Sequence, residues 1–364
     1  MRKELALQME DHDGKSGTPP HDSATADSDE RPTLKTIARL AGLAVPTISR
    51  ALNDAPDIGD DTKRKVREIA TRIGYRPNRA GVRLRTGKTN VISLVLSTEH
   101  DMMNHTARLI ATLSGALRGT PYHLIITPYF PSEDPMDPVR YIVETGSADG
   151  IIMNQTEPRD PRVAYLLERD FPFATHGRTL WNHPWADFDN KAFGEIAVRR
   201  LLAKGRRRIA LLRPPTTQNY SIDMYDGVMA ACAAAGIQPR VIEGLTSDSP
   251  VKLLEQEMPR YLRGPDAAEG LVIGSTNAVM ATVSAAEDMG LEIGRDIDIA
   301  AKEAIPFLSR FRREILTMQE DVSLAGNFLA RAIMHRIANT TAAPMQFLDV
   351  PQYPVDVGNP QKQG

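Results

Sequence analysis

At 364 residues the chain exceeds what one compact core holds and suggests two or three domains, with 41% hydrophobic residues to fill them. A single cysteine, Cys232, excludes an internal disulfide framework, and no run approaches the roughly 18 apolar residues that a membrane helix requires. The formal charge of −2 is unevenly spread: residues 1–31 carry −4, residues 32–88 carry +8 from 13 Lys and Arg against 5 acids, and residues 89–364 carry −6. A polyanion would be drawn to the middle segment alone, which is the electrostatic footprint of a nucleic-acid reader.

In chain order, residues 1–31 come first: Asp, Ser, Gly and Pro with few apolar groups, the composition of a disordered acidic leader. The positive start is not followed by an apolar core of roughly 7 to 15 residues, so no export signal is expected. With its lone cysteine, taken as a small buried hydrophobe, the chain fits a reducing cytoplasm.

Thr33 can cap a first helix in which Leu34, Ile37, Ala38 and Ala41 follow the 3.6-residue period, and Gly42 ends it in a tight turn. A second helix follows almost at once. Pro46 is acceptable in its first turn, where no helical hydrogen bond is lost, and Ile48, Ala51 and Leu52 form its buried side. Val45, Pro46, Thr47, Ser49 and Arg50 are left on the other side. Two short helices joined by such a turn make a helix-turn-helix, whose second helix enters the major groove N-terminus first. A third helix starting at Asp60 or Asp61 carries Val66, Ile69, Ala70 and Ile73 toward a shared core and stops at Gly74. Tyr75-Arg76-Pro77-Asn78 breaks the pattern, and residues 79–84 form a basic segment too short to be a stable helix without a partner.

Thr33-Leu34, Ile37-Ala38, Ala41-Gly42, Thr47-Ile48-Ser49-Arg50, Leu52-Asn53, Thr62, Val66, Gly74-Tyr75, Pro77-Asn78 and Leu84-Arg85-Thr86-Gly87, at these spacings, resemble the LacI/GalR family of bacterial transcription regulators. The resemblance covers essentially the whole chain after residue 31. It implies an N-terminal all-α helix-turn-helix DNA-binding head with a hinge helix, followed by an α/β periplasmic-binding-protein-like core of two doubly wound subdomains. The implied divisions are 32–77 for the head, 78–89 for the hinge, 90–188 with 318–342 for the first subdomain, 189–317 with 343–356 for the second, and a tail at 357–364. The implied partners are double-stranded operator DNA, a second copy of the chain or a pair of such dimers, and a small-molecule effector, expected to be a sugar, with no membrane and no cofactor.

By position, Val45, Pro46 and Arg50 match the family's base readers, and only Arg50 has the paired donors suited to a guanine edge. Thr33, Thr47, Ser49, Asn53, Thr62, Tyr75 and Asn78 match positions that hold phosphates, although Ser49 and Thr62 serve equally as helix-surface or capping hydroxyls. Leu84 would be the hinge leucine that wedges into the minor groove. Relatives commonly carry Ala where this chain has Gly81, and Gly disfavours helix by about 1 kcal/mol, so the hinge should fold only in the tightest complex.

From Asn90 on, β-rich runs at 91–96, 123–127, 150–153, 209–212 and 270–273 alternate with helical stretches such as 107–117, 139–145, 227–235 and 278–289, the pattern of parallel sheets with helices on both faces. Ligands of such sheets bind beyond the strand C-termini. The residues there are Ser97, His100, Asp101, Asn154, Gln155, His176, Arg178, Asp189, Asn190, Asn219, Tyr220, Thr276, Asn277, Lys302, Glu303 and Glu320. Their amides, carboxylates and arginine, with Trp181, Trp185 or Tyr220 to stack on a ring, suit a polyhydroxylated ligand. Asp189 and Asn190 serve equally to cap the helix that follows.

Several family anchors are replaced: Met224 stands where many relatives have Arg, Thr276 where Asp is frequent, Lys302-Glu303-Ala304 for an aromatic-Asp-Asp, and residues 100–104 for an Asn-Pro-Phe. The hinge and His176-Gly177-Arg178-Thr179 are similar to regulators of α-glucoside operons, which narrows the expected sugar to an α-glucoside-type disaccharide. Enzyme signatures are missing: no P-loop, no Gly-x-Ser-x-Gly and no His/Cys spacing suited to zinc, so neither a catalytic nor a metal site is expected.

Overall fold

The structure is a computed structural model that describes residues 32–76, 83, 87–98 and 105–351. It divides into two units, with the boundary after Val82, and each stands as a separate body.

The first unit is the head. Helix α1 (Leu34–Ala41), α2 (Val45–Leu52) and α3 (Asp60–Arg72) bury Ile37, Ala38, Ala41, Ile48, Ala51, Val66, Ile69 and Ala70 against one another. Each helix contributes the i, i+3, i+4 positions read from the sequence. Gly42 takes φ +69 and Gly74 φ +66, the left-handed region that a side chain resists, which lets each helix stop in one residue. Lys65 of α3 donates to the Ala41 carbonyl at 3.2 Å and so occupies an acceptor left free at the end of α1. Asn78, Gly81 and Leu84 lie outside the described residues, as does most of the expected hinge. Arg83 is described, and its guanidinium donates to the Thr145 carbonyl at 2.9 Å.

The second unit holds two parallel sheets. The first runs β11-β5-β4-β3-β1-β2, from strands β1 (Val91–Ser97), β2 (His123–Tyr129), β3 (Gly150–Met153), β4 (Phe173–His176), β5 (Trp185–Phe188) and β11 (Gln346–Asp349). Helices α4 (Ala107–Ala116), α5 (Met136–Thr145) and α6 (Pro161–Glu168) connect its strands. Central β1 is buried along its whole length: Ile92, Leu94 and Leu96 face α4 and a late helix, α12 (Val322–Ala338), whereas Val91 and Val95 face α5 and α6. Burial on both faces is why such strands read as unbroken apolar runs.

The second sheet runs β10-β9-β8-β6-β7. Its strands are β6 (Ile209–Leu212), β7 (Arg240–Val241), β8 (Gly270–Ile273), β9 (Asp298–Glu303) and β10 (Leu316–Gln319). Helices α7 (Asn190–Ala203) and α8 (Asn219–Ala234) cover one face, while α9 (Val251–Glu257), α10 (Thr276–Asp288) and the short α11 (Leu308–Phe311) contribute to the other. Cys232 is buried in α8, where burial pushes its thiol up to about 11, so it acts as a packed hydrophobe.

Two expected boundaries are corrected. Residues 346–349, assigned to the second subdomain, form β11 on the edge of the first sheet, paired with β5. The reason is α12, which lies on that sheet: Phe347 stacks on its Phe328 at 5.4 Å, so the chain leaving α12 completes the nearest open edge. Conversely, Met318 and Gln319, assigned to the first subdomain, belong to β10 of the second sheet, because Met318 packs into the α7/α8 core. Three segments meet at the waist between the sheets. The Asp189 N–H donates to the Asp349 carbonyl at 2.8 Å, and the Asp321 N–H donates to the Asp349 carboxylate at 3.1 Å.

Candidate functional site

On the head, α2 leaves Pro46 and Arg50 exposed, with Val45, Thr47 and Ser49 half-buried beside them. The Arg50 guanidinium pairs with Asp57, and both side chains remain about half exposed, at 58% and 47%. Thr33 forms a capping box: its hydroxyl accepts from the Thr36 N–H at 3.3 Å and its own N–H donates to the Thr36 hydroxyl at 3.1 Å. Asn53 closes α2 by donating its side-chain amide to the Ser49 carbonyl at 2.6 Å. Thr62 is half-buried in the first turn of α3, and Tyr75 packs on the head core, where burial raises its phenol above the usual range. Thr33 and Asn53 thus have structural partners of their own, and Arg50 and Pro46 are the exposed side chains of α2, with Arg50 held by an ion pair open to solvent.

In the core, the strand C-termini of both sheets supply the polar residues. The turn after β3 is held by a buried pair: Asp160 caps α6 and accepts from Arg162 at 2.7 Å, while Arg162 also donates to the Asn154 and Gln155 carbonyls at 3.2 and 2.9 Å. Gln155 takes φ +55 there, and the buried Asn154 Oδ1 makes no hydrogen bond within the described residues. After β4, Gly177 at φ +115 passes so near Thr156 that a Cβ would stand 2.5 Å from its hydroxyl. That approach lets Thr156 donate to the Arg178 carbonyl at 2.9 Å.

Arg178 joins the two subdomains. Its Nε donates to the buried Asp187 of β5 at 2.8 Å, and its terminal nitrogen donates to Asp223 of α8, also at 2.8 Å. Asn219 adds a side-chain bond to Asp223 at 3.1 Å and a backbone bond to the Thr156 carbonyl at 2.8 Å. Burial pushes the Asp187 carboxyl up to about 6 despite Arg178, and burial likewise raises Asp223.

Because the Asp187 pKa is higher folded than unfolded, its contribution to stability is full below about pH 4 and declines as pH rises through 6, by roughly 3 kcal/mol over that window. Asp187→Asn should remove this decline. Denaturant titrations of both proteins at about pH 3.5 and about pH 7, below the unfolded and above the folded value, will show it as a change in their stability difference.

A second cluster surrounds Glu320, a buried carboxylate just after β10. One oxygen pairs with Lys302 of β9 at 2.8 Å; the other lies 3.2 Å from His105 Nε2 and 3.5 Å from His176 Nε2. Lys302 also donates to Asn190 at 3.1 Å and stands over the rings of Phe188 and Tyr220 at 5.2 and 5.4 Å. Burial works to raise Glu320, but Lys302 and then His105 outweigh it and hold the carboxyl well below its usual range. Burial, then His105, pushes His176 down to about 3, against the pull of Glu320; burial also raises the Tyr220 phenol well above normal.

The structure therefore brings together His176, Arg178, Asn190, Asn219, Tyr220, Lys302 and Glu320. Others have different work. Asp189 caps α7 by accepting from the Ala192 N–H at 2.9 Å, and Glu303 accepts from the Leu308 and Ser309 N–H groups at the start of α11. Ser97 is buried at the end of β1, and Thr276 and Asn277 begin α10 behind the cap residue Ser275. His100 and Asp101 lie outside the described residues. His105, Asp187 and Asp223 were missed by the sequence reading. Asp223 had a detectable signal, lying one helical turn after Asn219; His105 had none.

With this geometry in place, comparison with known proteins is decisive. Residues 33–78 match the model of bacterial regulatory proteins of the lacI family, and residues 198–356 match that of a periplasmic binding protein-like domain. The HTH-type transcriptional regulator AglR of Rhizobium meliloti (strain 1021) is 31% identical over 325 residues, covering 86% of this chain and 90% of that one. The chain belongs to the lacI family of bacterial regulatory proteins. A further relative, the HTH-type transcriptional regulator RafR of Escherichia coli, is 35% identical over 210 residues, 57% of this chain and 62% of that one.

Among solved structures, the lac repressor dimer bound to operator and the anti-inducer ONPF superposes with a TM-score of 0.75 at 18% identity, covering 89% of this chain and 97% of that one. The transcriptional regulator CelR–cellobiose complex has a TM-score of 0.63 at 22% identity, with 88% and 98% covered. Both share its fold. This lacI-family regulator is thus a DNA-binding transcription regulator with a helix-turn-helix head and a periplasmic-binding-protein-like core. No helix among its described residues is long and apolar enough to cross a membrane.

Proposed function

We propose that this lacI-family regulator is a repressor that binds a pseudo-palindromic operator as a dimer and is controlled by a sugar, of the α-glucoside disaccharide type, in the cleft between its core subdomains. Arg50 would read a guanine edge, with Val45 and Pro46 offering apolar contact. Thr33, Thr47, Ser49, Asn53, Thr62 and Tyr75 would lie toward phosphates. The observation that carries the effector assignment is the Asp187–Arg178–Asp223–Asn219 chain, which joins the two subdomains through groups able to exchange their mutual bonds for sugar hydroxyls. The neighbour CelR is itself described in complex with cellobiose. An effector that opens this bridge binds the two subdomain arrangements unequally, as coupling to DNA affinity requires.

The test is a thermal melt of the full chain with maltose-type and sucrose-type disaccharides, a purine and a hexuronate, paired with an operator mobility shift. A ligand at about a hundred times its Kd should stabilise the protein by about 2.7 kcal/mol and change operator occupancy. If only the purine or the acid raises the melting temperature, the sugar assignment is wrong.

A further inference from the structure

Two of the scattered histidines of the sequence, His105 and His176, meet at one carboxylate. His105 lies just before α4, His176 ends β4 and Glu320 follows β10, so three separate segments converge, with one ligand atom from each within 4.8 Å of the others. Glu320 Oε1 stands 3.2 Å from one Nε2 and 3.5 Å from the other. The imidazoles meet edge to face at 4.8 Å, and His176 Nε2, though buried, makes no hydrogen bond among the described residues.

Ligand atoms held about 2.0–2.1 Å from a shared tetrahedral metal lie roughly 3.3–3.4 Å apart, and the two nitrogen–oxygen separations here bracket that spacing. Two imidazoles and a carboxylate form the donor set favoured by borderline divalent metals, and three protein ligands leave a position for water or for a hydroxyl of a bound molecule.

We propose that His105, His176 and Glu320 form a binding site for a divalent transition metal of the zinc, cobalt and nickel class. Oε1 is the ligand atom of Glu320, while Oε2 stays with Lys302, whose ammonium at 2.8 Å orients the carboxylate and lowers the site's affinity for a cation. The two nitrogens draw together as the metal enters. A metal here links the first subdomain to the segment that crosses between the sheets, so its occupancy bears on the relative movement of the two.

The test uses the full chain, tag removed and stripped with a chelator, titrated with cobalt(II) without any sugar, so that its outcome is independent of the effector assignment. One equivalent should bind with the visible absorption of a low-symmetry cobalt site. His105→Ala and Glu320→Gln should each weaken binding by roughly tenfold to a hundredfold or more. Lys302→Met should strengthen binding roughly tenfold by removing the opposing charge. His105 is only partly buried, so its variant keeps the test informative if the change at the buried Glu320 prevents folding. Absence of the absorption, or unchanged cobalt affinity in His105→Ala, would overturn the site.

Discussion

Alanine at position 50 should leave the head folded and remove most of its discrimination between operator and altered operator. The Arg50–Asp57 pair is solvent-exposed on both sides, and such pairs contribute about 0–1 kcal/mol, so losing it scarcely affects the stability of the three-helix core. The same weakness means that DNA can displace Asp57 at little cost. An arginine bonded through two nitrogens to a guanine edge contributes roughly 1–3 kcal/mol of discrimination, or about tenfold to a hundredfold in relative affinity. The measurement is the Kd ratio for the operator and for a version altered at one guanine, at fixed salt, in wild type and Arg50→Ala. The ratio should collapse while the slope of log Kd against log salt changes by about one ion or less. A variant that kept the wild-type ratio would show that Arg50 is not the reader.

The largest loss of stability is expected at Gly227. Helices α7 and α8 cross where Gly227 lies against the backbone of Lys191, with Gly194 opposite Met224 and Val228. A Cβ on Gly227 would fall inside the contact radius of the Lys191 carbonyl, and one on Gly194 would stand 2.6 Å from the Met224 carbonyl. These neighbours are backbone and cannot rotate away. Gly227→Ala should therefore destabilise the core by about 3 kcal/mol or more, measured by denaturant titration. Gly115→Ala is the control: it is exposed within α4 with nothing in reach of its Cβ, so alanine there should stabilise by roughly 0.5–1 kcal/mol. The crossing matters beyond stability, because α7 carries Asn190 and α8 carries Asn219, Tyr220 and Asp223. Prising the helices apart would also disturb the Asn190–Lys302 and Arg178–Asp223 contacts.

The head was legible because all its signals are local. Periodic Ile37, Ala38, Ala41, Ile48 and Ala51, the Thr33 cap and the stop at Gly42 all lie within a turn or two of what they control. Central strands such as β1 and β8 announced themselves for the same reason, as short apolar runs bounded by breaks. The edges were less legible. Strand β11 could have joined either sheet on its sequence, and the choice fell to Phe347 packing on Phe328 and to an open edge beside β5.

The cleft divides along the same line. Strand-end residues could be read from the sequence as a set of positions, yet which of them meet was decided by packing. Glu303 turned to cap α11, whereas Glu320 became the centre of a charged cluster. His105 and Asp223 entered from segments far from their partners in sequence.

Periodicity, capping and local charge act between near neighbours, so the three-helix head, its basic charge and the alternating α/β core could be read along the chain. The Arg178 bridge, the His105–His176–Glu320 cluster and the home of β11 were settled by long-range packing. Those depend on which distant segments share a sheet edge or a buried space, and burial there sets both the partners and the protonation of each group.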